Sequence, residues 1–146
     1  MDISRRDLAH AATCWICAAG AVSALAPGVA LAADGPAVNG TPGLSRKLIA
    51  QMDGPMPGYV TITAEVTIEP NATVGRHTHP GIESGYVVEG GIDLPIEGQP
   101  TRALKPGDGF QVPVGTPHAG APNGPARTKI VSTYIVEKGR PLATPV

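Results

Sequence analysis

Cysteine is almost absent: Cys14 and Cys17 are the two in a chain of 146 residues. Aromatic side chains make up 3%, too few for the stacking platforms on which single-stranded nucleic acids lie and a sign against large flat substrates. Charge is scarce and balanced. Eleven basic and twelve acidic residues leave a formal charge of −1, without the basic stripe a nucleic-acid binder needs. Helical periodicity is missing too, since no stretch beyond residue 33 repeats apolar residues at 3.6 spacing. What the chain has in quantity is glycine, 19, and proline, 16. That level approaches disorder, but 42% hydrophobic residues and the strand periodicity described below make these residues the turns of a strand-rich domain. The length suits one domain, and neither a repeat nor a second domain is visible.

The first 33 residues read as an address. Ser4-Arg5-Arg6-Asp7-Leu8 precedes a chargeless, Ala- and Gly-rich stretch from Leu8 to Ala33, closing on the small-residue pattern Ala30-Leu31-Ala32. His10, Gly20 and Pro27 keep this stretch only mildly hydrophobic. It resembles a twin-arginine signal over residues 1–32, cleaved after Ala32 or Ala33, rather than a general secretory signal or an uncleaved anchor. That resemblance implies export of a folded protein, often one loaded with a cofactor first, to the periplasm or beyond, with no stable membrane anchor after cleavage. Cys14 and Cys17 would leave with the signal. The remaining chain would then have no disulfide and no thiolate ligand.

Residues 33–45 form a turn-rich lead expected to be loosely held. Tyr59 to Glu69 is the clearest element: Val60, Ile62, Ala64, Val66 and Ile68 alternate with Thr61, Thr63, Glu65, Thr67 and Glu69. Strict period-2 alternation with β-branched residues means a half-buried strand. Further strands are expected at Lys47–Met52, Gly75–His79, Glu83–Val88, Ile92–Ile96, Thr101–Leu104, Gly109–Val112 and Thr128–Glu137, with a hairpin turn at Glu97-Gly98-Gln99-Pro100. Such spacing indicates an all-β sandwich or barrel, spanning 46–140 and followed by a short tail over 141–146.

Three histidines remain beyond the signal. His77 and His79, at i and i+2 on a strand, project from one face. Glu83 follows a Pro80-Gly81 turn that can bring its carboxylate back toward them, and His118 lies about forty residues further on, behind Pro113-Val114-Gly115-Thr116-Pro117. Three imidazoles and a carboxylate make a borderline donor set for one divalent first-row metal, with Fe, Mn, Co, Ni, Cu and Zn all open. On a six-coordinate metal two positions would stay free for water, dioxygen or substrate, whereas a tetrahedral zinc would be closed and structural.

His77-Thr78-His79-Pro80-Gly81-Ile82-Glu83 with Gly90 resembles the first cupin motif, H-x-H-x(3)-E-x(6)-G, and Gly107 to His118 resembles the second, G-x(5)-P-x-G-x(2)-H. The resemblance implies a double-stranded β-helix, a jelly-roll barrel, holding a metal on His77, His79, Glu83 and His118. Two positions depart from the family's pattern. Asn71 stands where a glycine is usual six residues before the first ligand, and Asn tolerates positive φ. Pro122 replaces an asparagine usual four residues past the last ligand, and Asn123 follows it. Glu89 and Asp108 are expected on the solvent side. Phe110, Val112, Tyr86 and Tyr134 are candidates for the pocket wall.

The implied activity is that of a metal-dependent, dioxygenase-like oxidoreductase acting on a small organic molecule, in which Glu83 could detach or take a proton. Lyase or isomerase chemistry at the same metal, a non-catalytic small-molecule-binding barrel and a scaffold role are the alternatives. A homodimer is the default expectation for such a barrel, and no nucleic-acid partner is expected.

Overall fold

The computed structural model describes residues 41–146; the expected export signal lies outside the described residues. Ten strands follow in order: β1 (Leu44–Asp53), β2 (Tyr59–Ile68), β3 (Val74–Thr78), β4 (Gly81–Glu89), β5 (Ile92–Leu94), β6 (Arg102–Leu104), β7 (Gly109–Val112), β8 (His118–Pro122), β9 (Thr128–Glu137) and β10 (Thr144–Pro145). They form two antiparallel five-stranded sheets, ordered β1-β2-β9-β4-β7 and β10-β3-β8-β5-β6. This is the jelly-roll barrel the sequence led to. No helix among the described residues is long and apolar enough to cross a membrane.

The alternation in β2 sets the first sheet. Ala64, Val66 and Ile68 turn inward and are buried. The strand pairs along its whole length with β9, whose Ile130, Ser132, Tyr134 and Val136 are also buried. Across the barrel, Ile92 and Leu94 of β5 meet Val66, Val87 and Ile130 in one apolar cluster, while Ala64, Tyr134, Val136 and Leu142 form a second. Ser132 stands on β9 between Ile130 of the first cluster and Tyr134 of the second. That layer carries the polar residues of the site.

Several local features follow from particular residues. Asn71 adopts φ 69°, so the turn survives without the usual glycine. Gly98 has φ 78° and Gln99 N–H donates to Ile96 O at 3.0 Å, closing the expected hairpin turn. Gly85 faces Phe110 in register, and a Cβ there would fall 2.2 Å from the ring. Its missing side chain lets Phe110 lie flat against the sheet.

The strand limits differ from expectation at both ends of the barrel. β1 begins at Leu44, inside the expected lead, because Gly43 takes φ 78° and its carbonyl accepts the Glu69 N–H at 2.7 Å, tying the chain to the end of β2. Residues 141–146, expected as a tail, return to the barrel. Leu142 is buried, Thr144 pairs with Thr78 and Pro145 with His77, and Val146 N–H donates to Arg76 O. The β8 strand was also not anticipated, since His118-Ala119-Gly120-Ala121-Pro122 has little β propensity and is held by its neighbours β3 and β5.

Candidate metal centre

His77 lies on β3, His118 opposite it on β8, and Glu83 on β4 of the facing sheet. His79 sits one residue past the end of β3 and keeps the inward sense of His77. The β3–β8 register shifts between Val74 and His77, a bulge that re-aims the side chains beyond it. All four residues expected as ligands are buried, and the structure brings them together. One ring nitrogen from each histidine lies within 4.8 Å of the others.

Each imidazole is held by its far nitrogen. His77 Nδ1 is 2.8 Å from Gly75 O, His118 Nδ1 is 3.0 Å from Thr116 O, and His79 Nδ1 is 2.5 Å from Leu142 O. A carbonyl only accepts, so each Nδ1 carries the proton and each neutral ring presents a bare lone pair on Nε2. Those lone pairs converge: His77 Nε2 lies 3.2 Å from His79 Nε2. Glu83 Oε2 adds a negative oxygen, 3.1 Å from His79 Nε2 and 3.4 Å from His118 Nε2. Ser132 Oγ–H donates to the other carboxylate oxygen, Oε1, at 2.7 Å. Three lone pairs and a carboxylate facing one another could hold a cation between them. The donor set, with every ring pinned from behind, fits a divalent first-row metal.

The ionisation behaviour agrees. Burial pushes the His77 imidazole down to about 4, the hydrogen bond to Gly75 opposing it. Burial alone would raise the Glu83 carboxyl, but its close contacts with the His118 and His79 rings and the hydrogen bond from Ser132 outweigh it and hold the group well below the usual carboxylate range. Burial raises the Tyr134 phenol, and the Glu83 carboxylate raises it further, so this hydroxyl stays protonated.

A stability prediction follows for the metal-free chain. Unfolded His77 takes a proton near 6.5 and folded His77 only near 4, so the unfolded state binds more protons in between. Stability is therefore full above about pH 6.5 and falls as pH drops toward 4. Glu83 adds its own loss only below its ordinary 4.5. Melting curves at pH 7.5, 5.5 and 4.5 are expected to show a steady decline, and a flat profile would contradict a neutral buried His77. A metal held on the same lone pairs would be released over the same range, because protons compete for them.

A cavity of about 40 Å³ opens beside the cluster, lined by His77, Glu83, His118, Ser132 and Tyr134 and by apolar residues including Val66, Ile68, Leu94 and Phe110. Among the expected wall residues, Phe110 and Tyr134 line it. Val112 is buried in the adjoining core. Tyr86 is not part of the wall: Glu83, Gly85 and Val87 point inward along β4, so Tyr86 points out and is half exposed. Glu89 pairs with Arg127 and Lys129, and Asp108 with Lys105, all toward solvent. Asn123 Nδ2–H donates to Asp93 at 3.1 Å, a loop contact on the surface.

Three participants escaped the sequence reading. Ser132 orients Glu83, the Leu142 carbonyl orients His79, and Arg46 lines the cavity. Inward parity along β9 and β1 was the available signal for Ser132 and Arg46. A backbone carbonyl leaves no signal in sequence.

A family model described as a cupin domain matches residues 64–134. KdgF from Halomonas sp. is 29% identical, covering 64% of this chain and 81% of that one, with a TM-score of 0.53. An RmlC-like cupin from Shewanella frigidimarina NCIMB 400 is 22% identical, covering 69% and 82%, with a TM-score of 0.57. The polyketide cyclase RemF from Streptomyces resistomycificus is 20% identical, covering 72% of each chain, with a TM-score of 0.59. The last two are likenesses of fold. No curated protein matches the chain. With both motifs in place, the jelly-roll architecture and the match over residues 64–134, the barrel is similar to cupin domains in sequence over its centre and in fold.

Proposed function

We propose that this cupin-like barrel holds one divalent transition metal on His77, His79, Glu83 and His118 and acts there on a small organic molecule as a dioxygenase-like oxidoreductase. The observation that carries the proposal is the convergence of three proton-free Nε2 atoms on a carboxylate in a buried site. A bound divalent metal supplies Lewis acidity and, where redox-active, electrons for dioxygen chemistry. The chain supplies the rest. Ser132 fixes the Glu83 carboxylate, and the three backbone carbonyls fix the imidazoles. The apolar walls exclude water and suit apolar dioxygen. A water needs about 10–15 Å³ of such space, so a cavity of about 40 Å³ suits a small molecule.

A second reading, lyase or isomerase chemistry, is favoured by Tyr134. Its buried phenol stays protonated next to Glu83, which leaves a hydroxyl able to donate a hydrogen bond to an oxyanion formed beside the site. The export motif belongs to the same proposal, with the signal over residues 1–32 directing the folded chain to the periplasm.

The test is elemental analysis of the processed protein, followed by oxygen uptake and solvent-deuterium exchange with small organic acids. A bound redox-active metal with substrate-dependent oxygen uptake supports the oxygenase reading. Metal with deuterium exchange but no oxygen uptake favours the second. A chain that carries no metal and takes none up leaves a binding barrel without turnover. Intact mass shows in the same preparation whether residues 1–32 have been removed.

A further inference from the structure

Arg46 is a charge the metal centre does not use. It stands on β1, turned inward like Leu44 and Leu48, and lines the same cavity as His77, Glu83, His118 and Tyr134. Its neighbours in register are apolar: Arg46 pairs with Val66, and Val66 with Ile130. An aliphatic residue would continue that wall. The next layer holds Ala64 between Leu48 and Ser132, a small side chain in the path from β1 toward the site. The Arg46 guanidinium carbon lies 5.5 Å from the centre of the Tyr134 ring.

The guanidinium is under-satisfied. Arg46 Nε is buried and has no hydrogen-bond partner. Among the described residues no carboxylate forms an ion pair with it. Unlike a histidine, arginine cannot lose its proton to escape burial. Contact with the Tyr134 face recovers only part of the hydration given up. Among the described residues Glu83 is the one carboxylate lining the same cavity, yet its oxygens are directed to Ser132 and the imidazoles. Two opposite charges share a small space without pairing, so each is left for another partner.

We propose that Arg46 is the recognition group for a carboxylate carried by the small molecule bound at the centre. The location rests on the metal-site reading above; the chemistry of Arg46 does not. A planar carboxylate matches the guanidinium fork with two parallel hydrogen bonds. Its single charge balances the single arginine, and among the described residues no lysine lines the cavity to share the heavier charge of a phosphate. Its size also suits a cavity of about 40 Å³. The substrate class is thus a small organic acid, oriented with its carboxylate toward β1 and the remainder toward the histidines.

The test is calorimetric titration of the full processed chain, metal-loaded and metal-stripped, with pyruvate, its neutral amide and inorganic phosphate. Wild type is compared with Arg46→Gln and Arg46→Lys. Pyruvate affinity is expected to fall about ten- to a hundredfold in Arg46→Gln, the range of one charge-assisted pair. Arg46→Lys, which keeps the charge and stem but not the fork, is expected between the two. Affinity for the amide should not depend on residue 46, and metal content should be the same in all three proteins. Equal pyruvate affinity in wild type and both variants overturns the proposal, as does tighter binding of phosphate than of pyruvate. A chain that retains no metal but shows Arg46-dependent pyruvate binding sinks the metal reading and leaves Arg46 in this role. Retained metal with pyruvate binding indifferent to residue 46 does the reverse.

Discussion

His118→Ala is expected to abolish stoichiometric metal binding and, with it, the thermal stabilisation metal confers. His118 comes from the sheet opposite Glu83, and its Nε2 and the carboxylate approach from the two faces of the barrel. Without it the donors are two imidazoles near the end of one strand and a carboxylate. Outer-shell changes alone cost about ten- to a hundredfold in metal affinity, so loss of a ligand should exceed that. In the wild type, metal at a hundred times its dissociation constant adds about 2.7 kcal/mol. For a domain of this size that raises the melting temperature by about 10 °C or more. The variant should show no such rise on adding metal, while its metal-free melt stays close to that of the metal-free wild type. Wild-type metal content in His118→Ala would refute the ligand set.

Removing residues 141–146 is expected to damage stability and metal affinity together. The segment contributes a buried side chain, two paired residues on β3, and the carbonyl that holds His79 in its tautomer. Losing a buried leucine side chain costs about 2–5 kcal/mol, and freeing His79 should weaken metal binding about ten- to a hundredfold. Leu142→Ala separates the two effects. It removes the side chain but keeps the carbonyl, so it should lower the melting temperature by about 10 °C while leaving metal affinity within about threefold of wild type. If the truncated chain binds metal as tightly as the full one, the Leu142 carbonyl does not orient His79. Thermal melts and metal titrations of the two variants decide this.

The ligand residues were legible because the motif is local. His77, His79 and Glu83 lie within seven positions, and His118 closes a second short pattern. The long strands β2 and β9 were legible because alternation is written into consecutive residues. What sets the remainder is nonlocal. Parity places Ser132 and Tyr134 on one face of β9, but only the pairing of Tyr134 with Glu83 puts them at the site, and register between strands about fifty residues apart is not written in either one. Arg46 reads as a polar residue beside Lys47, a common edge-strand pattern, until β1 is known to close over the cavity. Short β8 and β10 have weak propensity and exist because neighbouring strands offer unpaired backbone.

The contact between His79 and Leu142 also imposes an order in time. Sixty-three residues separate the ring from the carbonyl that fixes it, and translation runs from one to the other. A nascent chain can display both motifs, and even close most of β2, β4 and β9, while His79 is still free to turn. Only once Leu142 has left the ribosome can all three imidazoles be locked. The centre therefore reaches its final form only after Leu142 has been made, and ribosome-bound chains stalled before that residue should hold metal more loosely than chains that extend past it.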